Sequence, residues 1–485
     1  MATENQPDAK PDFDQLAEDL LAKNVPIKRS VDQDWLKYAQ TFNARLQYEP
    51  ALIVVPNKVL HVQEAVVLAA KYGTKVQVKS GGHSYASFST GGIDGIMVID
   101  MQEMREICVN HVTGVFRVSP GVRLGELDST LYNLGRPVGY GSRAIAHGTH
   151  RTGLAMDHII ALDVVLADGR HLAQVSRTRN PELFWVSTSL ERRALRGAAD
   201  SIGVVTQFYL QSKEAPDTIL NFRFAFTGII NNVNDAVKTF KHVQAFAQDP
   251  EIVDRDLGLS VFINGDALII SGIYMGPHDT FFNVILPALY NDQCLPEADI
   301  VNIKTQTWAE YSGIPEDDAT PIITQKDREQ QSNFFAKSVT VSKPIPDAAL
   351  VKYFRFLQGQ AKKASVGWYV IVNLHGGPDS QINTRSSSFA AFGSYDALWV
   401  FQHFASVGVT EKFPEEGFEL LEGMNSALTQ ELDEYAAELV YVDPTLSRDE
   451  AHELYYGAEL YQRLQGCKRW YDPLNLFDHP HSIRG

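Results

Sequence analysis

The stretch 76–100 constrains this chain of 485 residues more than any other. It opens with the alternation of a strand, Val76-Gln77-Val78, breaks at Gly81-Gly82, and then presents His83, Ser84 and Tyr85. A second apolar run, 96–99, ends in Asp100. Paired glycines after a strand permit positive φ and let backbone approach a ligand closely. Consecutive N–H groups in such a turn form a concavity that suits phosphate. A histidine directly after the turn stands beside whatever those phosphates belong to. On spacing alone the bland alternative also stands, a Gly-Gly turn between two strands with an exposed histidine.

The surroundings read as an α/β unit. A strand at 52–55 precedes a helix over 59–72, whose apolar period runs through Val62, Ala65, Val66 and Ala69 and which Gly73 closes. A short amphipathic helix is expected earlier, over 13–21. Further on come a strand at 115–118, a Pro120-Gly121 turn and a helix over 124–134. A strand at 159–166 then turns through Ala167-Asp168-Gly169 into 170–173. From about residue 219 short strands (221–226, 257–263, 267–274, 367–374, 395–403) alternate with helices (236–246, 348–363, 413–438). That pattern suits an antiparallel sheet covered by helices. On 395–403, Trp399 and Phe401 share one face, opposite Leu398, Val400 and Gln402.

Composition narrows the function classes. A hydrophobic fraction of 44% with 21% charged residues is ordinary for a globular chain. The formal net charge of −16 argues against a nucleic-acid partner and against an anionic membrane surface. No apolar run reaches the roughly 18 residues of a membrane span. Cys108, Cys294 and Cys467 are too widely spaced for a metal motif or a disulfide framework, which leaves one disulfide open. The 14 histidines form no HExxH or clustered pattern, so no metal is expected. The N-terminal stretch lacks a signal-peptide core, and the chain has no Asn-x-Ser/Thr sequon. A cytoplasmic location is the expectation, or secretion if the N-terminus is incomplete.

KSGGHSY followed by VIDMQEM resembles the flavin-binding segment of FAD-linked oxidases of the vanillyl-alcohol oxidase or PCMH type. The closer likeness is to their berberine-bridge-like branch, which includes fungal gluco- and chito-oligosaccharide oxidases. The resemblance implies an α+β fold with a two-part PCMH-type FAD-binding domain over 44–216. A substrate domain with a large antiparallel sheet covered by helices would span 217–436. A berberine-bridge-like segment, 437–485, would return to the FAD domain, and 1–43 would be an N-terminal extension.

The cofactor so implied is FAD, held by Lys79, Ser80, Gly81, Gly82, His83 and Ser84 and bonded covalently through His83. Gly121 in SPGVRLGEL, Gly203 and Val205 in SIGVVT, and Asn475 in YDPLNLF resemble further FAD contacts. The stretch 139–150 departs from the family. Relatives begin a longer segment there with Gly-Ser/Thr-Cys-Pro, whereas this chain has Arg143, so no cysteinyl link is expected. VSTSLERR, 186–193, reads as an insertion.

LVYVDPTL resembles the family's Asn-Tyr-x-Asp segment, with Tyr441 as the proton-removing tyrosine and Val440 where asparagine is usual. Taken alone, Tyr441 also reads as a core tyrosine near a Pro turn. A tyrosine of ordinary pKa, about 10, is a poor base near neutrality. Oligosaccharide oxidases pair it with the aspartate of Asp-Leu-His-Gly-Gly. Here that place holds Asn373, which can orient a phenol but cannot take its proton. Tyr85, Tyr369 and Gln402 match positions that line the sugar site, where rings stack and amides bond hydroxyls; as isolated residues they also read as packing.

The activity implied is oxidation of an alcohol or hemiacetal hydroxyl of a small molecule, first an oligosaccharide's anomeric carbon. Molecular oxygen would be the acceptor and hydrogen peroxide a product. Asn373 and Val440 also admit a tailoring oxidase of secondary metabolism acting on an apolar molecule. The short 139–150 stretch admits a flavin-free relative. Oligomeric state is left open.

Overall fold

The β–α–β pattern around the Gly-Gly turn builds a four-stranded sheet from β1 (Ile27–Lys28), β2 (Leu52–Val54), β3 (Val76–Lys79) and β4 (Met97–Asp100). Its order is β1-β2-β4-β3, and β4 runs parallel to both β2 and β3. Strands covered on both faces need apolar residues throughout, and Leu52, Ile53, Val54, Met97, Val98 and Ile99 are all buried. The helix Val59–Tyr72 carries the chain from β2 to β3 with Val62, Ala65, Val66 and Ala69 in the core, and Gly73 ends it at φ 68°. The computed structural model describes residues 11–133, 149–184, 195–291, 295–312, 331–386 and 388–485.

A second, antiparallel sheet contains β5 (Ile107–Val109), β6 (Val115–Val118), β7 (Ile159–Leu166), β8 (His171–Ser176) and β9 (Gly203–Gln211), ordered β5-β6-β9-β7-β8. The third and largest contains β10 (Thr218–Thr227), β11 (Leu257–Ile263), β12 (Ala267–Tyr274), β13 (Ile300–Thr307), β14 (Asn333–Val341), β15 (Gly367–Leu374) and β16 (Trp399–Val407). Every pairing in it is antiparallel, in the order β13-β10-β12-β11-β15-β16-β14.

The two-residue period of these strands gives the large sheet two unlike faces. One face, with Phe224, Val261, Val339, Val372, Trp399 and Phe401, packs into a single core with helices Val233–Phe246, Asp347–Gly359 and Glu415–Thr429. On the other, Phe334, Ala336, Phe404 and Tyr369 meet Phe42 and Tyr85 from the N-terminal third of the chain. The Asn43 side-chain amide pins this junction, donating to the carbonyls of Tyr85 (2.9 Å) and Phe334 (3.0 Å).

Two elements differ from the sequence expectation. The helix expected over 413–438 ends at Thr429, because Ala436 instead exchanges backbone hydrogen bonds with Thr340 at 2.8 and 2.9 Å. That bridge carries the chain to the turn Leu439–Tyr441. The strand expected over 395–403 begins at Trp399 and continues to Val407; the Tyr395 hydroxyl donates to Asp157 at 2.6 Å instead of standing in the ladder.

The helix Arg448–Tyr471 starts with a Ser447/Glu450 capping box. Beyond it, Asp472 accepts from the amides of Leu476 (2.7 Å) and Phe477 (2.9 Å), and the Leu476 carbonyl accepts from Val76 N–H at 2.8 Å. The C-terminal segment therefore docks on the first residue of β3. Among the described residues no helix is long and apolar enough to cross a membrane.

Candidate active site

β3 and β4 end side by side, with Lys79 opposite Asp100. Lys79 Nζ lies 3.2 Å from the buried Asp100 carboxylate and donates to the Tyr38 carbonyl at 2.7 Å. The turn that follows is held by its oxygens. The Ser80 hydroxyl donates to the Pro120 carbonyl, and the Arg123 guanidinium donates to the Gly81 carbonyl. Among the described residues the amides of Gly81, Gly82, His83 and Ser84 donate to no protein group. Ser84 Oγ accepts from Phe88 N–H at 3.1 Å and starts the next turn. Gly82 has φ 76°, and a Cβ there would come within 3.1 Å of the Lys79 side chain.

These residues border a cavity of about 410 Å³, together with Thr41, Phe42, Asp100, Gln102 and Arg123. Gln102 Nε2 is a buried donor with no partner among the described residues. Consecutive unpartnered amides, an unpartnered side-chain donor and two flanking cations fit a pyrophosphate. A larger recess of about 590 Å³ borders Lys337 but is otherwise walled by Glu422, Asp433, Glu434, Glu450 and Glu453, which repel phosphate.

His83 stands exposed beyond the turn, with the Phe42 ring edge-on at 4.8 Å. Desolvation at the cleft, and then the Arg123 charge, lower its pKa below the usual 6.5, which favours the neutral imidazole. Tyr85 lies 4.9 Å from Phe334 and 5.7 Å from Tyr441, ring to ring, and its hydroxyl accepts from Gln402 Nε2 at 3.1 Å. Tyr369 stacks on Phe404 at 4.6 Å. Asn373 is on the same face of β15 as Tyr369, buried, between Ser260 and Val400 in the register. Burial, then Tyr85, Glu438 and Tyr369, push the Tyr441 phenol well above its usual range. Among the described residues no hydrogen bond joins the Tyr441 hydroxyl to the Asn373 amide.

The fold thus gathers His83, Tyr85, Tyr369, Gln402 and Tyr441 around one aromatic cluster, with Lys79, Ser80, Gly81 and Gly82 leading into it. Other residues singled out from the sequence lie elsewhere. Gly121 underlies the turn from behind: its amide donates to the Met104 carbonyl at 2.9 Å, and a Cβ would lie 2.3 Å from the Met101 carbonyl. Gly203 starts β9 so close to β7 that a Cβ would meet the Val165 carbonyl at 2.8 Å, and Val205 is in the core. Asn475, at φ 50°, sits at the start of β3, the end away from the Gly-Gly turn. Val440 is exposed. Arg143 and the stretch 186–193 lie outside the described residues.

Sequence reasoning missed Phe42, Arg123, Phe334, Phe404 and Glu438. Phe404 was findable, since it follows Gln402 by two on a strand whose faces were assigned. The others come from distant segments and carry no local signal.

Comparison with known proteins agrees with this geometry. The chain matches the family described as FAD binding domain over residues 50–173 and the family described as berberine and berberine like over 439–484. It is 32% identical to the xylooligosaccharide oxidase of Thermothelomyces thermophilus, over 95% of this chain and 92% of that protein. It is also 32% identical to the carbohydrate oxidase of Microdochium nivale, over 96% of this chain and 94% of that one. A solved glucooligosaccharide oxidase from Acremonium strictum, with a 6-S-cysteinyl, 8α-N1-histidyl FAD, superposes with a TM-score of 0.85 at 26% identity, covering 97% of this chain and 99% of the other. With two relatives 32% identical over nearly the whole chain and both family models matched, the chain belongs to the berberine-bridge-like family of FAD-linked oxidases.

Proposed function

We propose that this FAD-linked oxidoreductase carries its flavin covalently on His83 and oxidises a CH–OH group of a carbohydrate, first an oligosaccharide's anomeric carbon, to the lactone, with molecular oxygen as acceptor. The observation that carries this reading is the meeting of His83, Tyr85, Gln402 and Tyr441 from three distant segments in one aromatic cluster. The amides of 81–84, with Lys79 and Arg123, would hold the pyrophosphate. Bound FAD supplies the hydride acceptor and the route of electrons to oxygen.

The chain's own residues do the rest. A neutral His83 has the lone pair that a bond to the flavin methyl requires. Tyr85 and Tyr369 offer faces for sugar rings, and Gln402 an amide for hydroxyls. Tyr441, in the aromatic cluster beside Tyr85, would receive the reacting hydroxyl's proton. This proposal includes no cysteinyl link, because the family resemblance puts Arg143 where a cysteine is expected; Cys108 is exposed on β5, Cys467 is buried in the C-terminal helix, and Cys294 lies outside the described residues.

The test is an absorption spectrum before and after acid precipitation, followed by peroxide release from a panel of oligosaccharides. Flavin absorbance should stay with the precipitated protein and move to the supernatant in His83→Ala. Wild-type protein without flavin in either fraction refutes the reading. One observation favours a second substrate class, an apolar alcohol: Phe262, Ile371, Phe334 and Phe404 make much of the cleft-side sheet apolar. Peroxide release from aromatic alcohols but from no sugar would decide for it.

A further inference from the structure

The His83 side chain is exposed, and among the described residues its ring takes part in no hydrogen bond. A Cβ at Gly81 would lie 3.8 Å from His83 Nδ1, so the imidazole stands over the glycine turn. An imidazole turns about χ1, with three staggered wells, and about χ2, which is broad and roughly two-fold; left free, it samples about six orientations. Among the described residues the aromatic ring that bounds it is Phe42, edge-on at 4.8 Å and 69°.

Phe42 is itself fixed in place. Its carbonyl accepts from Ser332 N–H at 3.1 Å, and Ala44 N–H donates to the Ser332 carbonyl at 2.9 Å, a parallel bridge just ahead of β14. Asn43, next in the chain and 1% exposed, donates its N–H to Ser87 Oγ at 3.3 Å and its side-chain amide to the carbonyls of Tyr85 and Phe334. The strap 42–44 therefore ties the loop that follows His83 to the large sheet. The Phe42 ring lies in that junction, 5.7 Å from Phe334 at 66° and 6.3 Å from Tyr85. It also borders the cavity of about 410 Å³ together with Ser80, Gly81, Gly82 and His83.

We propose that Phe42 is the positioning residue for the covalent flavin bond: its ring edge restricts the His83 imidazole and keeps it toward the cavity. The inference rests on the covalent His83 reading above. In the bond-forming step a His83 ring nitrogen joins the flavin methyl carbon. One imidazole N–H bond and one methyl C–H bond break. The two hydrogens, with the two electrons released, pass to molecular oxygen, giving one hydrogen peroxide for each bond formed. Phe42 supplies no acid, base or hydrogen bond to this step. It acts by orientation, which speeds a reaction when the partners are held close to the geometry of attack.

The test follows bond formation rather than turnover. Protein produced under riboflavin limitation is given FAD in air, and the covalent fraction is read by denaturing mass spectrometry against total flavin retained on gel filtration. Phe42→Ala should retain as much flavin as wild type but bond it about sixfold more slowly, the number of imidazole orientations released. Phe42→Tyr, which keeps a ring edge, should recover most of the wild-type rate. Phe42→Leu, which keeps apolar bulk without a ring, should fall between them and carries the test if the alanine variant does not fold. Bonding in Phe42→Ala and Phe42→Leu within about twofold of wild type overturns the proposal. So does a loss of total flavin with an unchanged bonding rate for what remains, the result of a merely structural ring. Wild-type flavin that never becomes covalent refutes the His83 reading and this proposal with it, whereas covalent wild type with unaltered Phe42 variants refutes only the part given to Phe42.

Discussion

Lys468 and Asp472 form a fully buried ion pair, with side chains 1% and 0% exposed and 2.7 Å apart. The ammonium uses all its protons, donating at 2.7 Å to Asp472 and to the carbonyls of Ser201 and Phe477. The carboxylate in turn accepts the Leu476 and Phe477 amides. Taking both charges out of water costs several kcal/mol each, and only this saturation of partners offsets it. Asp472→Asn leaves the ammonium facing two carbonyls without its paired carboxylate, only the more remote Asp478 and Asp200 still opposing its charge, a change that costs about 3–5 kcal/mol in buried pairs. The amide oxygen still accepts one backbone N–H, so the lower end, about 3 kcal/mol, applies; that is roughly a hundredfold in a local opening equilibrium. Hydrogen exchange should therefore quicken about a hundredfold at the amides of Val76, Leu476 and Phe477. Adding Lys468→Met should restore part of the protection, because no unpaired charge then remains. The ratio of flavin to protein absorbance should not change, since the pair docks at the end of β3 away from the Gly-Gly turn. Exchange within about twofold of wild type would refute the assignment of this pair as the clasp of the C-terminal segment, and lost flavin would refute its separation from the FAD cradle.

Gly82→Ala puts an L side chain at φ 76° and a Cβ 3.1 Å from Lys79, at a strain of about 1–2 kcal/mol; we expect a folded protein by circular dichroism that retains less flavin on gel filtration. Gln402→Leu strips the Tyr85 hydroxyl of its donor, and a sugar that loses an amide contact should show a raised KM with a smaller change in kcat, measured by peroxide release. Burial raises the Asp128 carboxyl to about 7, and among the described residues its Oδ1 has no hydrogen-bond partner. A folded-state pKa raised above the unfolded value contributes stability that is present below the unfolded pKa and lost as pH rises through about 7. Wild type should then melt lower at about pH 8 than at about pH 5, and Asp128→Asn should lessen that difference.

The sequence revealed elements where a period and its punctuation agreed. Leu257–Ile263, Ala267–Tyr274 and Gly367–Leu374 are short runs rich in apolar residues, and Val59–Tyr72 ends on a glycine that adopts the left-handed conformation its position requires. The segment after Thr429 keeps helix-forming composition, so nothing local announces that Ala436 will bridge to Thr340. The site divides the same way. The turn 80–84 is a contiguous motif and was legible as one. The Gln402–Tyr85 hydrogen bond spans 317 positions, and Phe42 reaches His83 from a segment with no motif at all.

The neutrality of the cleft-side sheet changes what the C-terminal segment is for. With Asn373, which cannot take a proton, on the sheet, the group proposed to move one, Tyr441, rides on the short stretch between the Ala436–Thr340 bridge and the helix Arg448–Tyr471. That stretch is positioned from both sides: by backbone pairing to β14 ahead of it, and by a helix clamped through Lys468 and Asp472 to β3 behind it. The strand that ends in the flavin turn is thus also the strand on which the C-terminal segment docks. Under the oxidase reading, the spacing of flavin and Tyr441 is set by β3 through the C-terminal helix, which kinks at Gly457, and by β14 of the large sheet. The cleft face of that sheet mixes apolar side chains, Phe262, Ile371, Phe334 and Phe404, with polar ones, Ser260, Asn373, Gln402 and Ser338, so it offers both rings and hydrogen-bonding groups to a substrate.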